Sequence, residues 1–124
     1  MTRINSFENL ECWRKSRELN FKIYKLTESK SNFISLQRQV RRSVISISSN
    51  IAEGYERNSH KEFRRFLRIA KGSAGELRSQ LYLMNDLNII DGDEFNQVKK
   101  EVLEISKMLG GLIKYLERKI NNKT

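Results

Sequence analysis

Apolar residues recur at alternating steps of three and four along most of the chain, and this spacing predicts amphipathic helices. The first predicted helix covers residues 9–28, and its apolar face consists of Cys12, Ser16, Leu19, Ile23 and Leu26. The next four residues, Ser29-Lys30-Ser31-Asn32, are polar and predict the first turn.

The second predicted helix covers residues 33–53, with an apolar face of Leu36, Val40, Val44, Ile47 and Ile51. The β-branched and serine-rich run from Ser43 to Ser49 favours a strand by propensity alone. The helical spacing continues on both sides of this run, so we interpret it as helix. Gly54 follows directly, and a glycine in that place predicts a C-terminal stop.

The third predicted helix begins at Ser59-His60-Lys61-Glu62, a sequence with the form of a capping box, and ends near Asn88. Acidic residues from Asp91 to Glu94 then open the fourth helix, because the helix dipole favours negative charge at an N-terminus. The fourth helix has the most regular seam: Phe95, Val98, Val102, Ile105, Leu109, Leu112 and Leu116.

Three further apolar residues, Leu103, Ile113 and Ile120, lie to one side of this seam. A helix with such an apolar flank often has a second neighbour, which would be another copy of the chain. The other interpretation is a wide core face within a single bundle.

The fold class that follows is all-α: an up-down antiparallel four-helix bundle. The 124 residues fit one domain, 1–124, and the chain has no proline and only six glycines. The three predicted connections are short, so helices that follow each other in sequence should be antiparallel neighbours.

The location that the sequence predicts is the cytoplasm. Residues 1–7 lack the apolar core of a signal peptide, and no apolar run approaches the roughly 20 residues of a membrane span. Cys12 is the only cysteine, so an internal disulfide is excluded.

The chain is strongly basic, with a formal net charge of +9. Residues 32–78 carry ten basic and four acidic side chains, whereas residues 79–95 carry four acidic and no basic ones. Positive charge favours acidic partners: nucleic acid first, and an anionic membrane surface or an acidic protein second. The alternative is that the charge serves solubility.

No constellation in the sequence predicts an enzyme. His60 is the only histidine and lies in the predicted cap of a helix. A di-metal site in a bundle needs Glu-x-x-His pairs on facing helices, and the chain has none. A glycine-rich phosphate loop and a zinc spacing are also missing from the sequence. We therefore expect no catalytic residue, metal or cofactor.

A row of cations along the third helix predicts contacts with phosphates. Arginine dominates the row, and its planar fork suits bidentate binding of phosphate. Arg38, Arg41 and Arg42 of the second helix add to the same charged region. The other interpretation is a solvated helix face. The candidate nucleic-acid-binding residues are Arg57, Lys61, Arg64, Arg65, Arg68 and Lys71.

A second set of polar residues is predicted to be internal and structural rather than a ligand site: Asn50, Glu53, Ser73 and Glu76. Gly72 and Gly75 weaken the third helix intrinsically and are tolerated where another backbone approaches closely. The four polar residues are then expected to pair across the hairpin of the second and third helices, together with Arg41 or Arg42. A buried charge without a partner would be costly, so such a set should be mutually satisfied.

The same segments resemble a known family. Gln39 to Gly54 and Phe63 to Glu76 are similar to the two central motifs of the four-helix-bundle proteins encoded in intervening sequences of bacterial large-subunit ribosomal RNA genes, and Phe7 to Trp13 is similar to the family's opening. The chain lacks two prolines that are usual in the family, one in the first turn and one inside the serine-rich run. A bend in the second helix is therefore not expected to be retained.

The resemblance implies a four-helix bundle assembled as a ring-like homopentamer. It also implies kinship with an accessory protein of diversity-generating retroelements, which binds nucleic acid and partners a reverse transcriptase. The function expected from residues and resemblance together is a non-catalytic, homo-oligomeric protein that binds RNA or DNA through phosphate contacts. The alternative is an assembly or scaffold protein whose partner is another protein.

Overall fold

The computed structural model of the chain describes residues 6–28 and 31–122. These residues form four α-helices and no strand, which confirms the all-α prediction. The helices are α1 (Glu11–Leu26), α2 (Ile34–Glu56), α3 (His60–Asp86) and α4 (Gly92–Asn121), with short 3-10 turns at Phe7–Asn9 and Ser31–Phe33. Residues 29 and 30 of the predicted first turn lie outside the described part.

The four helices occupy the corners of a square. Helix α2 packs on α1 and α3, and α4 packs on α3 and α1, while in the described residues no Cα atoms of a diagonal pair of helices come within 8 Å of each other. Short connections make each helix antiparallel to the next. The up-down antiparallel four-helix bundle is therefore confirmed.

The core is one continuous cluster to which every helix contributes. The β-branched run in α2 is helical as predicted, because its residues three and four apart complete an apolar face that the core covers. Val40, Val44, Ile47 and Ile51 of that face are fully buried. Here the burial of apolar surface outweighs the weak strand propensity of the same residues. Helix α2 runs through the segment without interruption.

The flank of α4 divides between core and surface. Ile113 lies in the core, whereas Leu112 of the predicted seam is only partly buried beside it. Leu103 is 42% exposed. The interpretation of a wide core face within one bundle therefore holds for Ile113. It does not hold for Leu103, which no other helix covers in the single chain.

The prediction that Gly54 ends α2 is wrong. The helix continues to Glu56, and Gly54 is buried inside it. A Cβ built on Gly54 would lie 2.5 Å from the Cβ of Phe66, so no side chain fits between α2 and α3 at this point. The glycine permits a close approach of two helices and does not provide a turn.

Asparagines take the place expected of glycine at two helix ends. Asn58 follows α2 with φ 55°, and Asn88 follows α3 with φ 60°. Beyond α3, the amide of Ile89 donates to the carbonyl of Met84 at 2.9 Å, and the amide of Asn88 donates to that of Asn85 at 3.1 Å. These two bonds define a Schellman motif, in which asparagine tolerates the left-handed conformation. The predicted end of α3 near Asn88 is confirmed.

The two predicted helix starts differ in their caps. Ser59 Oγ accepts from the amide of Glu62 at 3.3 Å, but the carboxylate of Glu62 binds arginine side chains instead of completing the predicted box. The full reciprocal box forms at α4, where Asp91 accepts from the amide of Glu94 at 2.8 Å and Glu94 accepts from the amide of Asp91 at 2.9 Å.

We expect Gly54→Ala to destabilise the protein by about 1–3 kcal/mol, because the added methyl group overpacks the contact with Phe66. Gly72→Ala is the matched control, since a Cβ at Gly72 would meet nothing within 4 Å. The control should raise stability by up to about 1 kcal/mol through helix propensity. Urea unfolding followed by circular dichroism measures both, and equal effects of the two substitutions would contradict the close approach.

Candidate nucleic-acid interface

Four of the six predicted phosphate-binding residues line one shallow groove on the outer side of α3. Lys61, Arg64, Arg65 and Arg68 surround a volume of about 450 Å³ together with Ile69. They converge because steps of three and four residues return to the same side of a helix. Lys71 continues the row one turn further along.

Three of the six cations are engaged in ion pairs. Arg57 Nη2 lies 2.7 Å from Glu53, and Arg68 Nη2 lies 2.6 Å from Glu117 of α4. Arg65 donates two hydrogen bonds of 3.2 Å to Glu62. These bonds are the main reason that the pKa of the Glu62 carboxyl lies below its usual value.

Arg57 and Arg65 also cover an aromatic ring. Their guanidinium carbons lie 5.0 and 4.4 Å from the ring centroid of Phe66. Phe66 is the residue that packs on Gly54, so both arginines are held against the contact between α2 and α3. Their positions fit a structural role better than a free phosphate ligand.

Lys61, Arg64 and Lys71 are the unpaired members of the row. Within the described residues they make no hydrogen bond, ion pair or ring contact with another side chain. Cations held on a helix exterior without a carboxylate partner are available to bind phosphate. The charge that the row offers is therefore concentrated in these three residues.

Helix α4 adds a cation that sequence reasoning missed. Lys71 passes beside Gly110, where a Cβ would lie 3.6 Å from its Cε, and Arg68 reaches Glu117. Lys114 lies between these two positions on the same side of α4, because residues three and four apart share a helix face. The absence of a side chain at Gly110 was the sequence signal for this passage, whereas a Cβ at Gly111 would meet nothing within 4 Å.

The arginines of α2 do not join this surface. Arg41 donates to Thr27 Oγ1 at 2.9 Å and to the carbonyl of Tyr24 at 3.2 Å, so it fastens α2 to the end of α1. Arg38 and Arg42 line a separate groove of about 650 Å³ near the other end of the hairpin of α2 and α3. The single basic region expected from the sequence is therefore divided into separate patches.

The predicted polar set does not form one cluster. Ser73 Oγ lies 2.8 Å from Ser46 Oγ, and Asn50 Nδ2 donates to Ser46 Oγ at 2.9 Å. Glu76 accepts from Ser43 Oγ at 2.9 Å, further along the same seam. The seam between α2 and α3 is thus held by serines that the sequence analysis did not select.

Glu53 lies outside this seam, which corrects the expectation that it belongs to a buried set. Its side chain is 53% exposed and pairs with Arg57 one turn away. The glycines were also misinterpreted, since a Cβ at Gly72 or Gly75 would meet nothing within 4 Å. The α3 residues buried against the core in this stretch are Ala70 and Ala74.

The described residues provide neither a metal site nor a membrane span. No group of three or more histidine, cysteine, aspartate or glutamate side chains in the described ranges could hold a metal ion. No helix in that part of the chain is long and apolar enough to cross a membrane. The thiol of Cys12 is buried, and burial raises its pKa to about 11.

The fold and the basic groove together define a helical bundle protein with a cationic surface. The model of the 23S rRNA-intervening sequence protein family matches residues 8–111, and the chain belongs to this family. A crystal structure of a protein of unknown function from the S23 ribosomal protein family of Bacteroides thetaiotaomicron is similar, with a TM-score of 0.78 and 28% identity. The match covers 83% of this chain and 98% of that one. A comparison with curated proteins finds no significant match.

We expect Ser46→Ala to cost about 1 kcal/mol, because it removes the hydroxyl that bonds Ser73 across the seam. Asn50 loses one of two hydrogen bonds, since its Nδ2 also donates to the carbonyl of Ser46 at 2.8 Å. Glu53→Ala should change stability by no more than about 0.5 kcal/mol, as is usual for an exposed pair four residues apart. Chemical unfolding of both variants measures the difference. A loss of stability larger for Glu53→Ala than for Ser46→Ala would contradict the exposed position of Glu53 and support the buried polar set predicted from the sequence.

Proposed function

We propose that this protein is a non-catalytic, homo-oligomeric nucleic-acid-binding protein of the cytoplasm that contacts phosphates through the outer side of α3. The observation that carries the proposal is the row of unpaired cations Lys61, Arg64 and Lys71, of which the first two line the shallow groove. The row spans about 15 Å at 1.5 Å per residue, which is long enough to follow several phosphates of one strand.

The chemistry of the groove favours backbone contacts over reading of bases. Its polar side chains are cations, and amide side chains that could bind a base edge do not line it. Phosphate contacts position a protein on nucleic acid without specifying sequence. The expected binding is therefore strongly salt-dependent and tolerant of sequence.

RNA is the first ligand to test. The family description names 23S rRNA, which gives a ribosomal RNA context for this chain. A location in the cytoplasm belongs to the proposal because the nucleic acid that it invokes is found there.

Self-association is the second part of the proposal. Leu83 of α3, Leu87 directly after the end of α3, and Leu103 of α4 are each at least 40% exposed in the single chain. Leu83 and Leu87 lie one turn apart on the same side of α3, so they form part of an apolar surface that a second copy could cover. A ring of five copies, which the family resemblance implies, would repeat the cationic row and multiply its phosphate contacts.

We expect affinity for RNA and for duplex DNA to fall steeply with salt. Each phosphate contacted contributes about −0.9 to the slope of log affinity against log salt on duplex DNA and about −0.7 on single strands. Replacing Lys61 and Arg64 together by glutamine should weaken binding to every sequence. It should also reduce the magnitude of the salt slope by roughly the contribution of two phosphate contacts. Fluorescence anisotropy across a salt series measures both quantities.

The control replaces Arg38 and Arg42 by glutamine. This pair is also without an ion-pair partner in the described residues, and it removes the same charge from the other groove. An equal loss of affinity in both double variants would show that binding depends on net charge and not on the row of Lys61, Arg64 and Lys71. A protein that binds no nucleic acid near physiological salt, but retains a protein partner, would favour the scaffold function.

We expect light scattering to give a mass several times the 14.7 kDa of one chain, with five copies preferred. Leu83→Glu should lower that mass, because it places a charge in the apolar surface proposed to lie between copies. Circular dichroism of the variant checks that the helices remain. A monomer for the unmodified protein at micromolar concentration would contradict this part of the proposal.

A further inference from the structure

Helix α1 carries the most exposed of the large apolar side chains in the described residues. Phe21 is 68% exposed, well above the next value of 51% for Ile34. The core face of α1 consists of other residues: Cys12, Ser16, Leu19 and Ile23. The bundle therefore does not need the ring of Phe21, and exposing a ring to water is unfavourable.

Cations surround this ring on the same side of α1. At 100° per residue, Arg14, Arg17, Phe21 and Lys25 fall within an arc of about 80°. Lys25 Nζ lies 5.8 Å from the centroid of the Phe21 ring, and Arg14 and Arg17 line a shallow groove of about 420 Å³ with Phe21 and Glu18. Lys25 also lies 3.9 Å from Glu28, but exposed pairs of this kind contribute little and are readily exchanged for another anion. Arg17 lies 5.8 Å from the centroid of the Trp13 ring, a contact that leaves its charge uncompensated. We refer to Arg14, Arg17, Phe21 and Lys25 as the α1 stripe.

We propose that the α1 stripe binds unpaired nucleotides, with one base stacked on Phe21 and the adjoining phosphates on Arg14, Arg17 and Lys25. This inference rests on the proposed function and names its substrate class, which is single-stranded RNA or DNA. An aromatic ring between cations is the arrangement by which proteins bind single strands without reading sequence.

The geometry favours unpaired over paired bases for a simple reason. In a duplex each base face is covered by its neighbours, so a ring on a convex helix surface cannot reach it. In a single strand the faces are free, and every base offers one. Glu18 lines the same groove, and its negative charge disfavours a phosphate directly against its carboxylate.

The α1 stripe and the row of unpaired cations on α3, which consists of Lys61, Arg64 and Lys71, are separate surfaces. Helices α1 and α3 are diagonal in the bundle, so their outer sides face away from each other. A substitution in one surface does not disturb the other through direct contact. The two proposed modes of binding can therefore be tested one at a time.

The test compares Phe21→Leu with Phe21→Tyr on a short oligo(U), an oligo(dT) of the same length and a duplex of the same length. Leucine keeps apolar bulk and removes the ring, whereas tyrosine keeps the ring. We expect Phe21→Leu to weaken binding to both single strands by roughly fivefold to a hundredfold, the usual effect of losing one stacked base. Phe21→Tyr should bind like the unmodified protein.

Two further readouts distinguish stacking from other roles of the ring. The salt slope should be unchanged in Phe21→Leu, because the substitution removes no charge, and binding to duplex should also be unchanged. Arg17→Gln should reduce the magnitude of the salt slope on single strands by about the contribution of one phosphate contact. Light scattering should give Phe21→Leu the mass of the unmodified protein.

Several results would overturn the inference. The first is an affinity of Phe21→Leu for single strands equal to that of the unmodified protein. The second is a loss of affinity for duplex as large as the loss for single strands. The third is a lower mass of Phe21→Leu in light scattering, which would make Phe21 a contact between copies. If the unmodified protein binds single strands and duplex while Phe21→Leu has no effect, this inference fails and the proposed function stands. If the unmodified protein binds none of the three nucleic acids, both fail.

Discussion

The close contact between α2 and α3 at Gly54 is the constraint on which the basic surface depends. Because Gly54 has no side chain, Phe66 lies directly on the backbone of α2. The guanidinium groups of Arg57 and Arg65 then cover the ring of Phe66, and Glu62 binds both of them, at 3.9 Å from Arg57 and 3.2 Å from Arg65. This arrangement holds two arginines against the protein and leaves Lys61 and Arg64 without partners. A packing requirement in the core thus determines which surface cations are available.

The helices could be predicted from the sequence because each buries one continuous face. In α2, the spacing of apolar residues overrides the strand propensity of Ser43 to Ser49, and the structure confirms a helix there. The regular seam of α4 predicts a helix that the structure also confirms. The ends were harder to predict. Asn58 and Asn88 adopt the left-handed conformation that sequence rules assign first to glycine, while Gly54 serves packing inside a helix.

The candidate site was predictable only in part, for a physical reason. Helical periodicity places Lys61, Arg64, Arg65 and Arg68 on one side of α3, and this needs no knowledge of the other helices. Two of the neutralised cations have partners within one helical turn, Arg57 with Glu53 and Arg65 with Glu62. The third, Arg68, pairs with Glu117 of α4, 49 positions away in the chain, and that contact depends on how the helices pack. The same limit explains why Glu53 was expected inside and is exposed, and why Ser43 and Ser46 were overlooked. Local patterns indicate helix faces and pairs within one turn, whereas partners on different helices are decided by the packing of the helices.

The square arrangement of the helices has a consequence for the order of folding. Three of its four sides join helices that are consecutive in sequence, so most contacts close short loops at little entropic cost. Only the side between α1 and α4 joins distant segments, and there Lys22 Nζ lies 2.7 Å from Glu101. Chains dominated by such local contacts belong to the fast-folding class. Hydrogen exchange should accordingly find the α2 and α3 hairpin the slowest part to open, and α1 the first helix to detach.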